Sequence, residues 1–304
     1  MRNISMKYQS LILLVMLGML VSCNDNEIFE REMYKNRIAL ISSGEYNLFQ
    51  EIVHLNDKEV IGYIAASVGG THAPARDMQI VLEEDPMPLA HYNYSNFDAD
   101  ASMYARALSP NQYDIPDHTI RIKAGELTGR TMIKLRPEGL SPDSTYFISL
   151  KATAASGVEL NPEKSTILYQ VVLENDFASQ VRGSSLYTMT GLVDGMVTAA
   201  NKTLFPLTSN SVRMVAGTES FVSQEDAIRK TSLILTVAKD GKVTIKPYGS
   251  LEVQQIDNDP KYPNIFKVEE TYGVKTNVFL LCYSYKMGKS TKVMKERVEM
   301  QVRE

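Results

Sequence analysis

The chain has 304 residues, of which 44% are hydrophobic and 22% are charged, and its formal net charge is −4. This composition is typical of soluble globular proteins and excludes intrinsic disorder, which requires low hydrophobicity and high net charge. The slightly acidic balance also lacks the clustered positive charge of nucleic-acid-binding proteins, so we expect no nucleic-acid partner.

The first 22 residues have the pattern of an export signal. A positively charged segment precedes the apolar run Leu11–Val21, which is too short to span a bilayer as a helix. The sequence ending in Leu-Val-Ser-Cys23 resembles a bacterial lipobox, in which the cysteine becomes the lipidated first residue. We therefore predict a lipoprotein signal peptide over residues 1–22, a lipid anchor on Cys23 and a tether over residues 23–35. The remaining 282 residues are enough for two domains of roughly 100–200 residues each.

Residues 36–178 have the pattern of one β-rich domain. Apolar and polar residues alternate in segments that are separated by turn residues. The predicted strands are Ile38–Ser42, Asn47–Leu55, Val60–Val68, Met78–Leu82, Thr119–Lys123, Arg130–Arg136, Thr145–Thr153 and Thr166–Leu173. Residues 86–108 interrupt this pattern, and their composition predicts a helical stretch within a longer connection.

A second β-rich domain is predicted over residues 183–304, after the small polar linker Ser179–Ser185. The Asp-Gly pair between Ser232–Ala238 and Val243–Pro247 predicts a β-hairpin. A second hairpin is predicted to join Asn277–Tyr285 to Lys292–Val302. Cys282 lies in an apolar run of the first of these strands, and we expect a buried, unreactive thiol there. Short, regularly spaced strands favour an all-β architecture of sandwiches or barrels.

The sequence contains no common motif for nucleotide binding, hydrolysis or zinc coordination. GxGxxG, GxxxxGK[ST], GxSxG and HExxH are all missing, and the four histidines are scattered. The segment that begins at Asp257 resembles the start of an EF-hand loop, but Tyr262 and Val268 occupy the positions that require Gly and Glu. We therefore expect no cofactor and assign no metal site, which leaves a calcium site of another type as an open alternative, and we favour a protein that is not an enzyme.

Two clusters of aromatic and polar residues are candidates for binding sugars, whose apolar faces stack on aromatic rings while their hydroxyls pair with amides and carboxylates. Because the chain has no Trp, its 16 Tyr residues are the main candidates for stacking. Both clusters are expected in loops, although such Tyr residues also pack at the rims of β-sandwiches. The candidate glycan-binding residues are Tyr92, Tyr94 and Phe97 in the first cluster, and Tyr248, Asp257, Asp259, Tyr262 and Asn264 in the second.

Two stretches resemble a known family. The first stretch comprises Tyr113-Asp-Ile-Pro, Ile120–Glu126, Ile133–Leu135 and Tyr146–Leu150. It resembles an N-terminal domain of unknown function that is common in Bacteroidetes surface lipoproteins, and its pattern suits an immunoglobulin-like sandwich. The second stretch comprises Asn201–Gly217, Val243–Tyr248 and Tyr262–Asn264. It resembles the C-terminal domain that accompanies the first.

The resemblance implies an all-β fold, with an N-terminal immunoglobulin-like β-sandwich followed by a second β-sandwich or a short β-barrel. It also implies a glycan ligand, a position in the outer membrane facing the cell exterior, and SusC/SusD-like outer-membrane partners in a polysaccharide-utilisation system. The leading hypothesis is non-catalytic glycan binding. The alternatives are an adhesin or assembly module that binds a protein and, behind it, a hydrolase of unrecognised type.

Overall fold

The computed structural model describes residues 36–154, 159–181 and 183–302. The predicted signal peptide, the tether and Cys23 lie outside these residues. Within them the chain forms four β-sheets in two domains, so the all-β, two-domain prediction is confirmed. No helix in the described ranges is long and apolar enough to cross a membrane.

The N-terminal domain is a sandwich of two sheets. Its strands are β1 (Arg37–Leu40), β2 (Leu48–His54), β3 (Val60–Gly69), β4 (Met78–Glu84), β5 (Arg106–Ala107), β6 (Tyr113–Asp114), β7 (Thr119–Ile122), β8 (Thr128–Leu135), β9 (Tyr146–Ala154), β10 (Glu159–Leu160) and β11 (Thr166–Glu174). Sheet A has the order β10-β1-β3-β8-β6, and sheet B has the order β2-β11-β9-β4-β7, with β5 paired to β9. Buried residues of both sheets, such as Ile64 from β3 and Leu150 from β9, form one core between them. Apolar residues recur at every second position because successive side chains of a strand point to opposite faces.

The helical stretch predicted in residues 86–108 is present as helix α1 (Met87–Phe97). Leu89 of α1 joins Phe147 and Leu168 of sheet B in a small second cluster. Asn93 fixes the helix to the chain that follows it, since its side chain donates to the Ala105 carbonyl at 2.9 Å and accepts from the Ala105 amide at 2.8 Å. The helix therefore covers part of the outer face of sheet B.

The C-terminal domain also consists of two β-sheets that enclose one core. Its elements are β12 (Leu186–Val193), β13 (Met196–Thr203), β14 (Phe205–Thr208), β15 (Ser211–Val215), α2 (Glu225–Thr231), β16 (Ser232–Val237), β17 (Val243–Pro247), β18 (Val253–Gln255), β19 (Ile265–Thr271), β20 (Val274–Met287) and β21 (Ser290–Gln301). Sheet C has the order β13-β12-β21-β20-β18, with β19 also paired to β20, and sheet D has the order β14-β15-β16-β17. Phe279 and Tyr283 of sheet C meet Met214 and Leu235 of sheet D in the core.

The predicted hairpins are both confirmed. β16 pairs with β17 around Gly241, whose φ of 84° suits glycine. β20 pairs with β21 from Thr276 to Met287, and the predicted buried position of Cys282 within β20 is also confirmed. The strands β12–β15 and helix α2 were not individually predicted, because β13, for example, has little regular alternation of apolar residues.

A short stretch of chain joins the two domains. β11 ends at Glu174, whereas Phe177 and Ala178 already pack in the C-terminal core. The chain therefore passes from one core to the other between Glu174 and Phe177. The physical reason is that Phe177 buries its ring against Phe266 and Phe279, with ring centroids 4.9 and 6.1 Å away.

Candidate functional site

A cleft of about 700 Å³ lies where the end of sheet C meets the domain junction. Glu174 and Asp176 border it at the end of the N-terminal domain, and the polar face of sheet C forms the opposite wall. The strand register brings the sheet residues together: Thr188 of β12 pairs with Glu299 of β21, and Thr276 of β20 pairs with Glu269 of β19. Clefts at domain junctions are frequent ligand sites, so this concave surface is the leading candidate.

Arg297 organises the wall of the cleft. Its Nη1 and Nη2 atoms donate to the two carboxylate oxygens of Glu269 at 3.2 and 2.6 Å, and its Nε donates to Glu299 at 2.6 Å. Such a two-pronged arginine–carboxylate contact fixes both groups in one orientation. The cleft therefore presents an ordered set of charged groups, with the hydroxyls of Thr188 and Thr276 beside them.

Glu269 and Arg297 stabilise each other in the ionised form. Hydrogen bonding to Arg297, with a smaller contribution from Lys267, lowers the pKa of Glu269 to about 2. The same contact with Glu269 is the largest cause of the raised pKa of Arg297. At neutral pH the wall can therefore accept hydrogen bonds at its carboxylates and donate them from its threonine hydroxyls, which is the chemistry that polyhydroxylated ligands require.

An exposed aromatic residue follows one of the cleft residues in the chain. Tyr272 follows Thr271, a cleft residue, in the two-residue turn between β19 and β20, and its side chain is fully exposed. Tyr272 and Gly273 have φ values of 52° and 79°, the left-handed conformations of a type I′ turn. Asn, Asp or Gly normally occupies the first of these positions, because a bulky residue is strained there. The turn thus holds an exposed tyrosine in an unfavourable backbone conformation, one residue beyond a residue that lines the cleft.

The first predicted cluster lies on helix α1 rather than in a loop, and the helix separates its members. Tyr92 is half-buried, with its ring centroid 5.1 Å from that of Phe147 and 5.3 Å from that of Tyr46. Burial is the main cause of its raised pKa. Phe97 packs edge-on against Tyr92, whereas Tyr94 is largely exposed. Of the three candidates, Tyr94 alone offers an open ring.

The second predicted cluster is a loop whose polar groups bond mainly to the protein itself. Asn264 is buried, donates to the Ile256 carbonyl at 2.8 Å and accepts from the Cys282 amide at 2.7 Å. The Asp259 carboxylate lies 2.7 Å from the Lys295 amine, and this contact is the main cause of the lowered pKa of Asp259.

The other predicted residues of the second cluster are divided between that loop and the domain junction. Tyr262 donates its backbone amide to Asp259, and Asp257 accepts from Gln255 at 2.6 Å. Tyr248 lies elsewhere, at the contact between the domains, where its hydroxyl donates to Asp143 at 2.9 Å. The structure therefore brings Asp257, Asp259, Tyr262 and Asn264 together in one loop but separates them from Tyr248 and from α1.

The cleft residues were missed in the sequence. A signal for Tyr272 exists, since Tyr-Gly between two β-rich segments is compatible with a two-residue turn. Arg297 and Glu269 carry no such signal, because only the pairing of β19, β20 and β21 places them on one face. Within the described ranges, no group of three or more His, Cys, Asp or Glu side chains is arranged to hold a metal ion.

Family models match both domains. The model of an N-terminal domain matches residues 31–159, and the model of a C-terminal domain matches residues 165–301. No curated protein matches the chain.

Solved structures from Bacteroides share the fold at low sequence identity. A protein of unknown function from Bacteroides ovatus aligns with a TM-score of 0.65 and 16% identity over 91% of this chain and 94% of its own. A multidomain protein including DUF1735, from the same species, aligns with a TM-score of 0.60 and 16% identity over 87% of this chain and 94% of its own. An auxiliary nutrient binding protein from Bacteroides thetaiotaomicron aligns with a TM-score of 0.57 and 11% identity over 84% of this chain and 90% of its own. With both domains matched in order, the chain belongs to a family of two-domain β proteins whose structural neighbours come from Bacteroides.

Proposed function

We propose that this protein binds an oligosaccharide or polysaccharide at the cell surface without cleaving it, and that the junction cleft is the binding site. The observation that carries the proposal is the cleft with its charged wall of Glu269, Arg297 and Glu299. The fully exposed Tyr272 comes one residue after Thr271, which lines the same cleft. An aromatic face next to fixed hydrogen-bonding groups suits the apolar and hydroxyl-bearing faces of a sugar ring. The fold shared with an auxiliary nutrient binding protein supports the same function.

The ordered wall also favours binding that needs little rearrangement. Arg297 is held by two carboxylates before any ligand arrives, so less side-chain entropy is lost on binding. We propose that the chain works tethered by a lipid on Cys23, facing the cell exterior, and delivers glycan to SusC/SusD-like partners.

Affinity electrophoresis and calorimetry against a panel of polysaccharides test this function on the chain from residue 24 onwards. We expect retardation by at least one glycan, loss of most of that binding in Tyr272→Ala, and no released product. Tyr94→Ala is the matched control, since it removes another exposed tyrosine from the opposite domain. Absence of binding to every glycan would contradict the proposal, and loss of binding only in Tyr94→Ala would move the site to α1.

The cellular placement has its own test. A Cys23→Ala variant should lose lipid labelling and leave the membrane fraction, while the unaltered chain should be digested by protease added to intact cells. Retention of the variant in the membrane would contradict the proposed anchor. Protection of the unaltered chain in intact cells would contradict the outward orientation.

One observation favours the alternative of a protein-binding module. The outer face of sheet A exposes apolar side chains, among them Ile61 and Tyr63 on β3, where a solvated sheet face normally carries polar ones. The Arg130 guanidinium lies over the Tyr63 ring at 4.1 Å. If this face binds a SusC-like partner, Ile61→Glu should abolish its co-purification while Tyr272→Ala leaves it intact. Equal co-purification by both variants would contradict this alternative.

A further inference from the structure

Arg213 is a fully buried charge on the outer face of sheet D. It lies on β15, where its guanidinium is 4.2 Å from the centroid of the Phe205 ring and 5.3 Å from that of Tyr248. Phe221 stacks on Phe205, with centroids 5.3 Å apart, and extends this aromatic enclosure. Buried guanidinium groups are costly unless they are paired, so a charged partner is required.

The partner comes from the other domain. Asp143, in the connection between β8 and β9, accepts a hydrogen bond from Nη2 of Arg213 through one carboxylate oxygen. Its other oxygen accepts from the Tyr248 hydroxyl at 2.9 Å. The Nε atom of Arg213 has no hydrogen-bond partner among the described residues, so the buried charge depends strongly on this one carboxylate. Arg213 and Asp143 therefore couple the two domains.

The chain between the domains is also tied to both of them. Asn175 donates to the carbonyls of Thr208 and Ser211 at 2.7 and 3.0 Å, next to the strand that carries Arg213. Gln180 donates to the Pro142 carbonyl at 2.8 Å, one residue before Asp143. Rotation of one domain against the other would break these contacts together with the buried ion pair.

The junction cleft is sensitive to such a rotation, since Glu174 and Asp176 border it on the side of the N-terminal domain and sheet C forms its other wall. We propose that Asp143 and Arg213 are positioning residues that hold the two domains at the angle at which the cleft is open and ready for glycan. The effect on glycan binding rests on the proposed function, but the angle between the domains can be measured without any ligand.

Asp143→Asn tests the proposal, because it removes the charge that Arg213 needs while nearly preserving the shape of the side chain. X-ray scattering should show a broader distribution of domain separations, and limited trypsin digestion should separate the two domains several-fold faster. Glycan affinity should fall several-fold. Asp143→Glu retains a carboxylate and should restore all three measurements towards those of the unaltered chain.

Asp117→Asn is the matched control, since Asp117 forms an exposed ion pair with Arg121 inside the N-terminal domain. It should leave scattering, cleavage and affinity unchanged. Unchanged scattering and cleavage in Asp143→Asn would overturn the positioning role. Altered scattering with unchanged glycan affinity would overturn its connection to the cleft. If the unaltered chain bound no glycan, the proposed function would fail, while scattering and cleavage would still decide the domain coupling.

Discussion

Replacement of Tyr272 by Asn should make the protein more stable and less able to bind glycan. In the native turn, Tyr272 has a φ of 52° and its side chain is fully exposed, so the substitution removes backbone strain without removing a buried contact. Asn adopts the left-handed conformation readily, because its short polar side chain hydrogen-bonds locally. The loss of the ring removes the aromatic surface that we assign to the sugar.

The size of the stability change follows from the left-handed backbone conformation at residue 272. A left-handed conformation costs an ordinary residue roughly 1–2 kcal/mol, most of which Asn avoids, so we expect the free energy of unfolding to rise by about 1 kcal/mol. For a chain of this size the increase corresponds to a rise in melting temperature of about 2–4 °C. Stability given up for a functional surface is a common compromise at binding sites.

A second type I′ turn allows the opposite substitution, from a residue that suits the turn to tyrosine. Asp194 and Gly195 join β12 to β13 with φ values of 48° and 83°, and the Asp194 side chain accepts from the Val293 amide at 2.8 Å. Asp194→Tyr should lower the free energy of unfolding by about 2 kcal/mol, through the strain and the lost hydrogen bond together.

Urea unfolding and thermal melting measure both stability changes, and calorimetry measures glycan affinity. The reasoning is refuted if Tyr272→Asn lowers the melting temperature, because the tyrosine would then stabilise the folded state. Unchanged glycan affinity in this variant would remove Tyr272 from the binding site.

Three further predictions concern other parts of the C-terminal domain. Lys202→Met should lower the free energy of unfolding by about 3–5 kcal/mol, because it leaves the buried Glu296 carboxylate without its ammonium partner at 2.5 Å. The double variant Lys202→Met with Glu296→Leu should recover most of the lost stability, as measured by urea unfolding. Asn264→Ala should lower the free energy of unfolding by about 1–3 kcal/mol in urea, because the buried Cys282 amide loses its hydrogen-bond acceptor. A loss of glycan binding without destabilisation would contradict this structural role. Glu269→Gln should lower stability at neutral pH by less than about 1 kcal/mol, since the ion pair is one-third exposed. Folding lowers the pKa of Glu269 from 4.5 to about 2, so the stability difference between the two proteins should be fully present above pH 4.5 and disappear as the pH falls towards 2. A stability difference that grows on acidification would contradict this prediction.

Much of the strand pattern was predictable from local sequence. The alternation in Val60–Val68 and the Asp-Gly pair at Asp240 depend only on neighbouring residues, and both are confirmed by β3 and by the hairpin of β16 and β17. Helix α1 was also predictable, but the direction of its side chains was not. Tyr92 and Tyr94 are two residues apart, so on a helix they point to different sides, and one packs against sheet B while the other faces solvent.

The candidate site was not predictable in the same way. Asp257 to Asn264 combine aromatic, amide and acidic residues as a binding loop would, but buried backbone groups need partners, and Asn264 satisfies two of them. Tyr248 carries no signal that distinguishes a ligand contact from a contact with Asp143 of the other domain.

The sequence by itself determined the all-β class, the two-domain order and the positions of most strands and turns, because alternation and turn chemistry act over a few residues. Only the tertiary structure decided where the functional surfaces lie. Arg297 contacts Glu269 because of the register of three strands, and Asp143 contacts Arg213, which lies 70 residues later in the chain and in the other domain. Such contacts depend on how distant segments of the chain pack, and no local sequence pattern predicts them.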